Sequence, residues 1–370
     1  MCVSPLSISS DVSDVWIETP NDHALEQLQL QLADLAPSLD ELGAWPHQQL
    51  QLCANHGVFR WFVPQAYGGA AWSAEDIVRG YLKLSAGCLT TTFIITQYTG
   101  AARRIASSDN IGLQQDLLPK LATGKIFGTV GISHLTTSRR HLNKNILRAA
   151  PASGGYRLTG LAPWVTGSPQ ADLVVVGATL DDGRQLLATV STALPGVHVP
   201  PPANLVALSA SQTGPVHFDD CFVANEFVIA GPMEEVMKQG AGAGTGGVQT
   251  STLAIGLAQA AIGFLQQESC HRPELLEATE ALRGEVDLLE DQVLRMAAGE
   301  QVCSNEELRI RANSLALRSA QASLSAAKGT GYVIGHPAGR WCREALFFLV
   351  WSCPQPVMAA NLCELAGLTE

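Results

Sequence analysis

The sequence predicts an α+β protein with helices at both ends and a β-rich middle. Apolar residues recur every three or four positions from residue 23 to about 122, tend to alternate between 127 and 229, and return to helical spacing after 247. At 370 residues the chain exceeds one ordinary core, so we expect several domains. We predict a tail (1–22), an N-terminal helical domain (23–125), a middle β domain (126–236) and a C-terminal four-helix bundle (237–370).

The N-terminal part predicts a bundle of about five helices. HALEQLQLQLADLAPSLDEL places leucines on one helical face, and Pro46 precedes HQQLQLCANHGVF where a first helical turn tolerates proline. Three further helices are expected over residues 74–85, 90–107 and 113–122. Turn residues separate them at Gly68-Gly69, Gly87 and Asp109-Asn110.

Eight short runs predict the middle domain as an antiparallel sheet, either a barrel or a sandwich. They are FGTVGIS, KNILRAA, GYRLTG, DLVVVGATL, LLATVST, GVHV, GPVHFDD and EFVIA. Residues 153–155 and 181–183 have the composition of hairpin turns.

Helices return after a glycine-rich link at 240–247. GVQTSTLAIGLAQAAIGFLQQES is apolar on nearly every side, which predicts a helix at the centre of a bundle. Amphipathic helices are expected over residues 278–299 and 306–328, with a last helix over 339–351.

Composition narrows the possible functions. A net charge of −11 argues against nucleic acid as a partner, and no apolar run reaches the length of a membrane span. The first basic residue is Arg60, so we expect no secretory or mitochondrial leader and a cytoplasmic location. Nine scattered cysteines without a CxxC pair predict reduced core thiols and no metal site.

Five segments, in this order, resemble motifs of the acyl-CoA dehydrogenase family. They are GVFRWFVPQAYGG (57–69), LLPKLATGKIFGTVGIS (117–133), GYRLTGLAPWVTGSPQADLVVVGA (155–178), TGPVHFDDCFVANEFVI (213–229) and KGTGYVIGHPAGRWCREA (328–345). Each segment is weak evidence alone, whereas five in the family's order and spacing are specific.

The resemblance implies a flavoprotein that binds FAD, with FMN or no flavin as alternatives, and a homodimer or homotetramer. It assigns flavin contacts to Ile132, Ser133, Trp164, Thr166, Gly329 and Thr330. An indole can stack on the isoalloxazine, and a hydroxyl can donate to a flavin nitrogen. The alternatives are a core residue for Trp164 and a helix C-cap for the glycine turn.

The match breaks at the catalytic base. Removal of the α-proton needs a base, which in most of the family is a glutamate. The position matching that glutamate is Ser352, and the second known base position falls on Gln249, followed by Thr250. The catalytic residues are therefore unassigned, and the chain reads as a divergent member. His134 and His336 are candidate substitute bases and Cys353 is a candidate nucleophile, although each residue type is more often structural.

Other departures weaken the expected hold on the nucleotide half of FAD. The family's R-x-x-F-G element is reduced to Arg272 without the Phe-Gly, its glutamine before the glycine turn is Ser325, and a family histidine is replaced near Gln97. The basic cluster of Arg139, Arg140, His141, Lys144 and Arg148 fits either phosphate binding or a solvated hairpin edge.

Three functions follow from these observations. The first is an FAD-dependent oxidoreductase acting on the CH–CH group of an acyl thioester or a related small substrate. The second is a flavin-dependent monooxygenase on the same fold, which needs no α-proton base. The third is a catalytically silent flavin-binding or acyl-binding scaffold.

Overall fold

The computed structural model describes residues 16–136, 146–238 and 247–368. The N-terminal part contains five α-helices, with the bounds α1 (His23–Leu35), α2 (His47–Asn55), α3 (Ala74–Gly87), α4 (Leu89–Ala106) and α5 (Ile111–Ala122). These helices match the sequence prediction. The first ends earlier than expected because Pro37 turns the chain into a 3-10 helix, Ala36–Asp40.

The middle part is a single eight-stranded sheet. Its strands are β1 (Gly128–Gly131), β2 (Leu147–Ala152), β3 (Gly155–Val165), β4 (Leu173–Thr179), β5 (Gln185–Ser191), β6 (Val197–His198), β7 (Gly214–Ala224) and β8 (Val228–Met233). A short helix, α6 (Ser133–Thr136), follows β1. The strand order is β6-β7-β3-β2-β4-β5-β8, with β1 paired to β4.

The expectation of a purely antiparallel sheet is wrong in one respect. β1 pairs with β4 in parallel, and β2 meets β4 in parallel at one position. The chain reverses from β2 to β3 and again from β3 to β4, which returns β4 to the direction of β2. Both predicted hairpin turns are confirmed, with Gly154 and Gly183 in the left-handed region at φ 79° and 88°.

Helices form the C-terminal part: α7 (Val248–Ser269), α8 (Leu276–Ala297), α9 (Asn305–Ala327), α10 (Pro337–Ala345) and α11 (Gln355–Leu365). Helix α7 packs against α3, α8 and α9, which confirms the prediction of a central helix. It is long and apolar enough to cross a membrane, yet 67% of its most apolar window is buried inside the protein.

The prediction for the end of the chain is partly wrong. The expected helix over 339–351 stops at Ala345 and continues as a 3-10 helix, Leu346–Leu349. Helix α11 then follows, without having been predicted. The expectation of core thiols also fails for Cys270 and Cys363, which are exposed.

Polar contacts join the two helical parts across the sequence. Arg343 Nη2 donates to Asp40 Oδ1 at 2.6 Å, and Thr90 Oγ1 donates to Glu344 Oε1 at 3.0 Å. Glu344 is buried, and this hydroxyl is a donor to its carboxylate. These contacts fix α10 against the start of α4.

Candidate functional site

The ends of β1 and β3 are packed together. A methyl group added at Gly131 would lie 2.9 Å from the Cβ of Ala162, so only glycine allows this close approach. Thr129 Oγ1 donates to the carbonyl oxygen of Thr166 at 2.8 Å. The residues that follow β1 therefore lie next to the residues that end β3.

Trp164 lies on β3 with its side chain turned outward. The residue is 58% exposed, whereas its neighbour Val165 is fully buried, as expected for alternating sides of a strand. The alternative that Trp164 is a core residue is therefore wrong. A large exposed indole on a packed sheet offers a flat apolar surface to a ligand ring.

Thr166 directs a hydroxyl to the same end of β3. It is buried, and its Oγ1 accepts a hydrogen bond from Thr213 Oγ1 at 3.1 Å. Because Thr213 supplies the proton of that bond, the Thr166 hydroxyl keeps its own proton for another acceptor.

Ser133 and Ile132 complete this group at the end of β1. The Oγ atom of Ser133 is buried and has no hydrogen-bond partner. Ile132 is buried and gives the group an apolar neighbour. An orphaned hydroxyl, a second hydroxyl with a free proton and an exposed indole together fit a flavin, whose ring presents both a flat face and hydrogen-bond acceptors.

His134 is held as a neutral imidazole. Its Nε2 lies 2.7 Å from the carbonyl oxygen of Gly177, so Nε2 carries the proton and donates it. Burial lowers the pKa of His134, partly opposed by this hydrogen bond. The Nδ1 atom is left buried without a partner. A structural role accounts for Nε2 but not for Nδ1.

Gly329 and Thr330 belong to a separate cleft among the C-terminal helices. Helix α9 ends at Ala327, Lys328 adopts φ 54°, and Thr330 Oγ1 donates to the Ala327 carbonyl at 2.6 Å. These contacts are those of a helix end. The turn nevertheless borders a cleft of about 610 Å³, whose other lining residues include Phe264, Glu268, Arg272 and His336.

Arg272 is held at the wall of this cleft. Its Nη1 donates to the carbonyl of Ala326 at 2.6 Å, and it pairs with Glu268 at 3.4 Å and Glu274 at 3.2 Å. Sequence reasoning treated Arg272 as a remnant, whereas the structure places it beside the glycine turn. His336 Nδ1 accepts from the amide of Ala338 at 3.2 Å, so it caps α10.

The two expected base positions carry no carboxylate. Ser352 is exposed and has φ 43°, just after the 3-10 helix that follows α10. Gln249 lies in the first turn of α7, where its side chain hydrogen-bonds the Tyr81 hydroxyl. Burial raises the pKa of Cys353, an effect that Arg309 opposes, so the thiol is a poor nucleophile.

Sequence reasoning missed an aromatic cluster beside Ser352. The ring of Phe93 meets the rings of Phe347 and Trp351 edge-on, at centroid distances of 4.7 and 5.0 Å. Phe347 and Trp351 stack on each other at 4.9 Å. Only their four-residue spacing signals this pair in the sequence, while the contact with Phe93 spans most of the chain.

Two further expectations concern charged groups. Arg139, Arg140, His141 and Lys144 lie outside the described residues, whereas Arg148 is exposed and pairs with Asp181 at 2.6 Å. For Arg148, this geometry matches the solvated hairpin edge.

Among the residues that the structure describes, no group of three or more His, Cys, Asp or Glu side chains is placed to hold a metal ion.

The chain is similar in sequence to known dehydrogenases. The family model described as acyl-CoA dehydrogenase, N-terminal domain, matches residues 21–125. L-prolyl-[peptidyl-carrier protein] dehydrogenase of Pseudomonas fluorescens is 27% identical over 48% of each chain, so this match spans about half of that relative. The short-chain specific acyl-CoA dehydrogenase of rat mitochondria is 22% identical over 89% of this chain and 86% of its own.

Solved structures share the fold along nearly the whole chain. Glutaryl-coenzyme A dehydrogenase in its glutaryl-CoA complex superposes with a TM-score of 0.78 at 17% identity, covering 94% of this chain and 96% of its own. Dibenzothiophene monooxygenase from Paenibacillus superposes with a TM-score of 0.75 at 12% identity, covering 94% and 97%. The matching N-terminal domain, relatives along most of the chain and the shared fold together support membership of the acyl-CoA dehydrogenase family.

Proposed function

We propose that the protein is an FAD-dependent oxidoreductase that acts on the CH–CH group of a small acyl thioester. The observation that carries this proposal is an exposed indole, Trp164, at the end of β3, together with a buried, unpartnered hydroxyl, Ser133, just after the strand β1 that packs against it. A protein that bound no planar ligand would have little reason to keep an exposed Trp and an orphaned hydroxyl together. The named activities of its relatives, acyl-CoA and carrier-protein dehydrogenases, support the same class.

The proposed roles follow from the atoms that each residue offers. Trp164 covers one face of the ring, Thr166 and Ser133 donate to its acceptors, and Ile132 excludes water from the group. When bound, FAD supplies the hydride acceptor. Gly329 and Thr330 would hold the nucleotide half, at a cleft where Arg272 is also paired with Glu268 and Glu274. A bound ligand, or a second copy of the chain, would connect this cleft with the group at Ser133 and Trp164.

We also propose that the protein forms a homodimer or homotetramer. Its acidic composition favours a cytoplasmic location.

A monooxygenase is the second candidate. The exposed hydroxyl of Ser352 and the amide of Gln249 supply no basic group at the two expected positions, whereas oxygen activation by reduced flavin needs no α-proton base. The dibenzothiophene monooxygenase neighbour has the same fold. Flavin reduction by an added thioester distinguishes the two functions, because only the dehydrogenase is reduced by its acyl substrate.

The first test is an FAD titration followed by absorbance, comparing the wild type with Trp164→Ala. We expect the wild type to take up FAD and the variant to bind it at least about tenfold more weakly, since stacking on an indole contributes on the order of 1 kcal/mol beyond burial. Phe222→Ala is the matched control, because Phe222 is an exposed aromatic residue on β7 of the same sheet.

The outcomes separate the candidates. Equal FAD binding by Trp164→Ala and the wild type would refute the assigned role of Trp164. A wild type that takes up neither FAD nor FMN would refute both enzyme functions and favour a silent scaffold. Bound flavin that bleaches under anaerobic addition of an acyl-CoA would establish the dehydrogenase. Bound flavin that no thioester bleaches would favour the monooxygenase.

A further inference from the structure

Two histidines face each other across strands β6 and β7. The register of these antiparallel strands pairs His198 directly with His217. Residues paired in this way point to the same side of a sheet, with Cβ atoms about 4.5–5.5 Å apart. Val216 and Phe218, on either side of His217, are buried, so both imidazoles lie on the outer face of the sheet, where both residues are exposed.

The backbone around this pair is fixed on both sides. On one side, the Asp219 amide donates to the carbonyl oxygen of Gly196 at 2.8 Å. On the other, the Ala203 amide donates to the carbonyl oxygen of Thr213 at 3.0 Å. Three consecutive prolines at 200–202 restrict the backbone between these two contacts. The spacing of the two histidines is therefore set before any ligand binds.

The protein itself makes no polar contact with either ring. Among the described residues, no group hydrogen-bonds or ion-pairs with the imidazole of His198 or of His217. Each neutral imidazole therefore keeps one nitrogen lone pair available for a ligand. His336, by contrast, already uses its Nδ1 to accept from the amide of Ala338.

Two nitrogen lone pairs at this spacing match a divalent transition-metal ion. Such an ion bonds an imidazole nitrogen at about 2.0–2.1 Å, so two nitrogens on one ion lie at most about 4.2 Å apart. Rotation about χ1 and χ2 brings two rings on Cβ atoms about 5 Å apart to that separation. Imidazole suits Cu²⁺, Ni²⁺ and Zn²⁺, whereas Mg²⁺ and Ca²⁺ prefer oxygen ligands.

The charge around the pair also favours a cation. Asp219 is exposed two residues after His217, which places its carboxylate on the same side of β7. Arg157, on the neighbouring strand β3, is paired with Asp220 at 2.7 Å, which offsets its positive charge. The whole chain carries a net charge of −11, which attracts cations to its surface.

We propose that His198 and His217 chelate one divalent transition-metal ion of the class Cu²⁺, Ni²⁺ and Zn²⁺, with water completing its coordination. The site lies outside the proposed flavin contacts and is independent of the proposed function. Because β6 is an edge strand of two residues, the bound ion ties it to β7.

The test is a titration with NiCl₂ by isothermal titration calorimetry near neutral pH, for the wild type, His198→Gln, His217→Gln and the double variant. We expect the wild type to bind one Ni²⁺ per chain. Each single substitution should weaken binding at least about tenfold, because the second ring binds the ion intramolecularly. The double variant should lose little more than either single variant, since one ring alone holds the ion weakly.

His271→Gln is the matched control. His271 is exposed in the turn after α7, so its replacement should leave Ni²⁺ binding unchanged. All three histidines are exposed, and circular dichroism checks that each variant keeps the wild-type fold. MgCl₂ in place of NiCl₂ should give no binding at this site.

Several results would overturn the proposal. One is a wild type that does not bind Ni²⁺, and another is unchanged binding in either His198→Gln or His217→Gln. A loss of binding in His271→Gln that equals the loss in those variants would do the same. Half an ion per chain, with Ni²⁺-dependent dimers on size-exclusion chromatography, would mean that the ion bridges two copies instead of two strands.

Discussion

Ser133 and His134 are adjacent residues that each bury a polar atom without a protein partner, Oγ in one and Nδ1 in the other. An unmet buried group costs about 1–3 kcal/mol, and a ligand or water that meets it recovers that cost. The two residues differ in the hydrogen bonds that they can form with a ligand or a water molecule. The serine hydroxyl can donate or accept, whereas the unprotonated Nδ1 of a neutral imidazole only accepts.

The burial of His134 predicts a pH dependence of stability. Because its pKa in the folded protein is lower than the ordinary value of 6.5, the unfolded chain takes up a proton first as the pH falls. The stability that the neutral ring contributes is therefore present above about pH 6.5 and is lost as the pH falls through the folded pKa. We expect the wild type to lose more free energy of unfolding than His134→Gln between about pH 7.5 and 5.5.

Urea unfolding at a series of pH values measures this difference. A glutamine amide can still donate to the Gly177 carbonyl, so the variant keeps the contact while removing the titration. His198→Gln, at an exposed position on β6, is the control and should follow the wild type. Parallel pH profiles for the wild type and His134→Gln would contradict the prediction.

At the scale of the elements, the packing of β1 against β3 positions most of the proposed flavin contacts. We expect Gly131→Ala to destabilise the protein by about 1–3 kcal/mol, since its methyl group would press on Ala162 at 2.9 Å and on Val165 at 3.2 Å. It should also weaken FAD binding by moving Ser133 relative to Trp164. Chemical unfolding and FAD titration measure the two effects.

Gly284 provides the opposite case for the same substitution. It lies exposed within α8, and nothing lies within 4 Å of an added methyl group. Gly284→Ala should therefore stabilise the protein by about 0.5–1 kcal/mol, because alanine favours the helix, and leave FAD binding unchanged. A neutral effect of Gly131→Ala on both measurements would refute the importance of the close approach.

Local sequence signals account for the helices that were predicted well. Helix α3 begins after Ser73, whose hydroxyl accepts from the Asp76 amide at 3.1 Å, and α5 begins after Asn110, which accepts from Leu113 at the same distance. Both are capping residues readable from the sequence. The parallel pairing of β1 with β4 was not readable, because the partner of a strand depends on the whole sheet.

The residues of the candidate site also differ in how far the sequence alone could predict them. Trp164 and Thr166 could be proposed from the sequence because they lie two residues apart in one motif, at the end of the strand that packs against β1. The ring contact between Phe93 and Phe347 joins residues 254 positions apart in the sequence. Neither residue has local chemistry that sets it apart from an ordinary core aromatic residue. Only the tertiary fold, which places the 3-10 helix after α10 against α4, brings them together.

At the scale of the whole molecule, a buried carboxylate links the N- and C-terminal helices. Burial raises the pKa of Glu344, opposed by Arg340 and by the Thr90 hydrogen bond. The folded carboxyl group therefore holds its proton more tightly than the unfolded one. The stability associated with this proton is complete below about pH 4.5 and is lost as the pH rises through the raised pKa.

Glu344→Gln removes this titration while keeping an oxygen that can accept from Thr90. We expect the free energy of unfolding of the wild type, measured relative to Glu344→Gln, to fall as the pH rises from about 4.5. Equilibrium unfolding of both proteins at several pH values gives the difference directly. Glu280→Gln, at an exposed position on α8, should show no such trend. A difference that stays constant or grows with pH would exclude this assignment.

Helix α4 links two parts of the molecule that are far apart in the sequence. One face of this helix lies against β1 at Gly100 and against the stacked rings of Phe347 and Trp351 at Phe93, so one rigid element contacts both places. Homologues that change the side chain at one of these contacts should therefore carry a compensating change at the other, pairing position 93 or 347 with position 100 or 130. An alignment of homologues would contain these pairs as correlated columns, linking a strand and a C-terminal segment far apart in sequence.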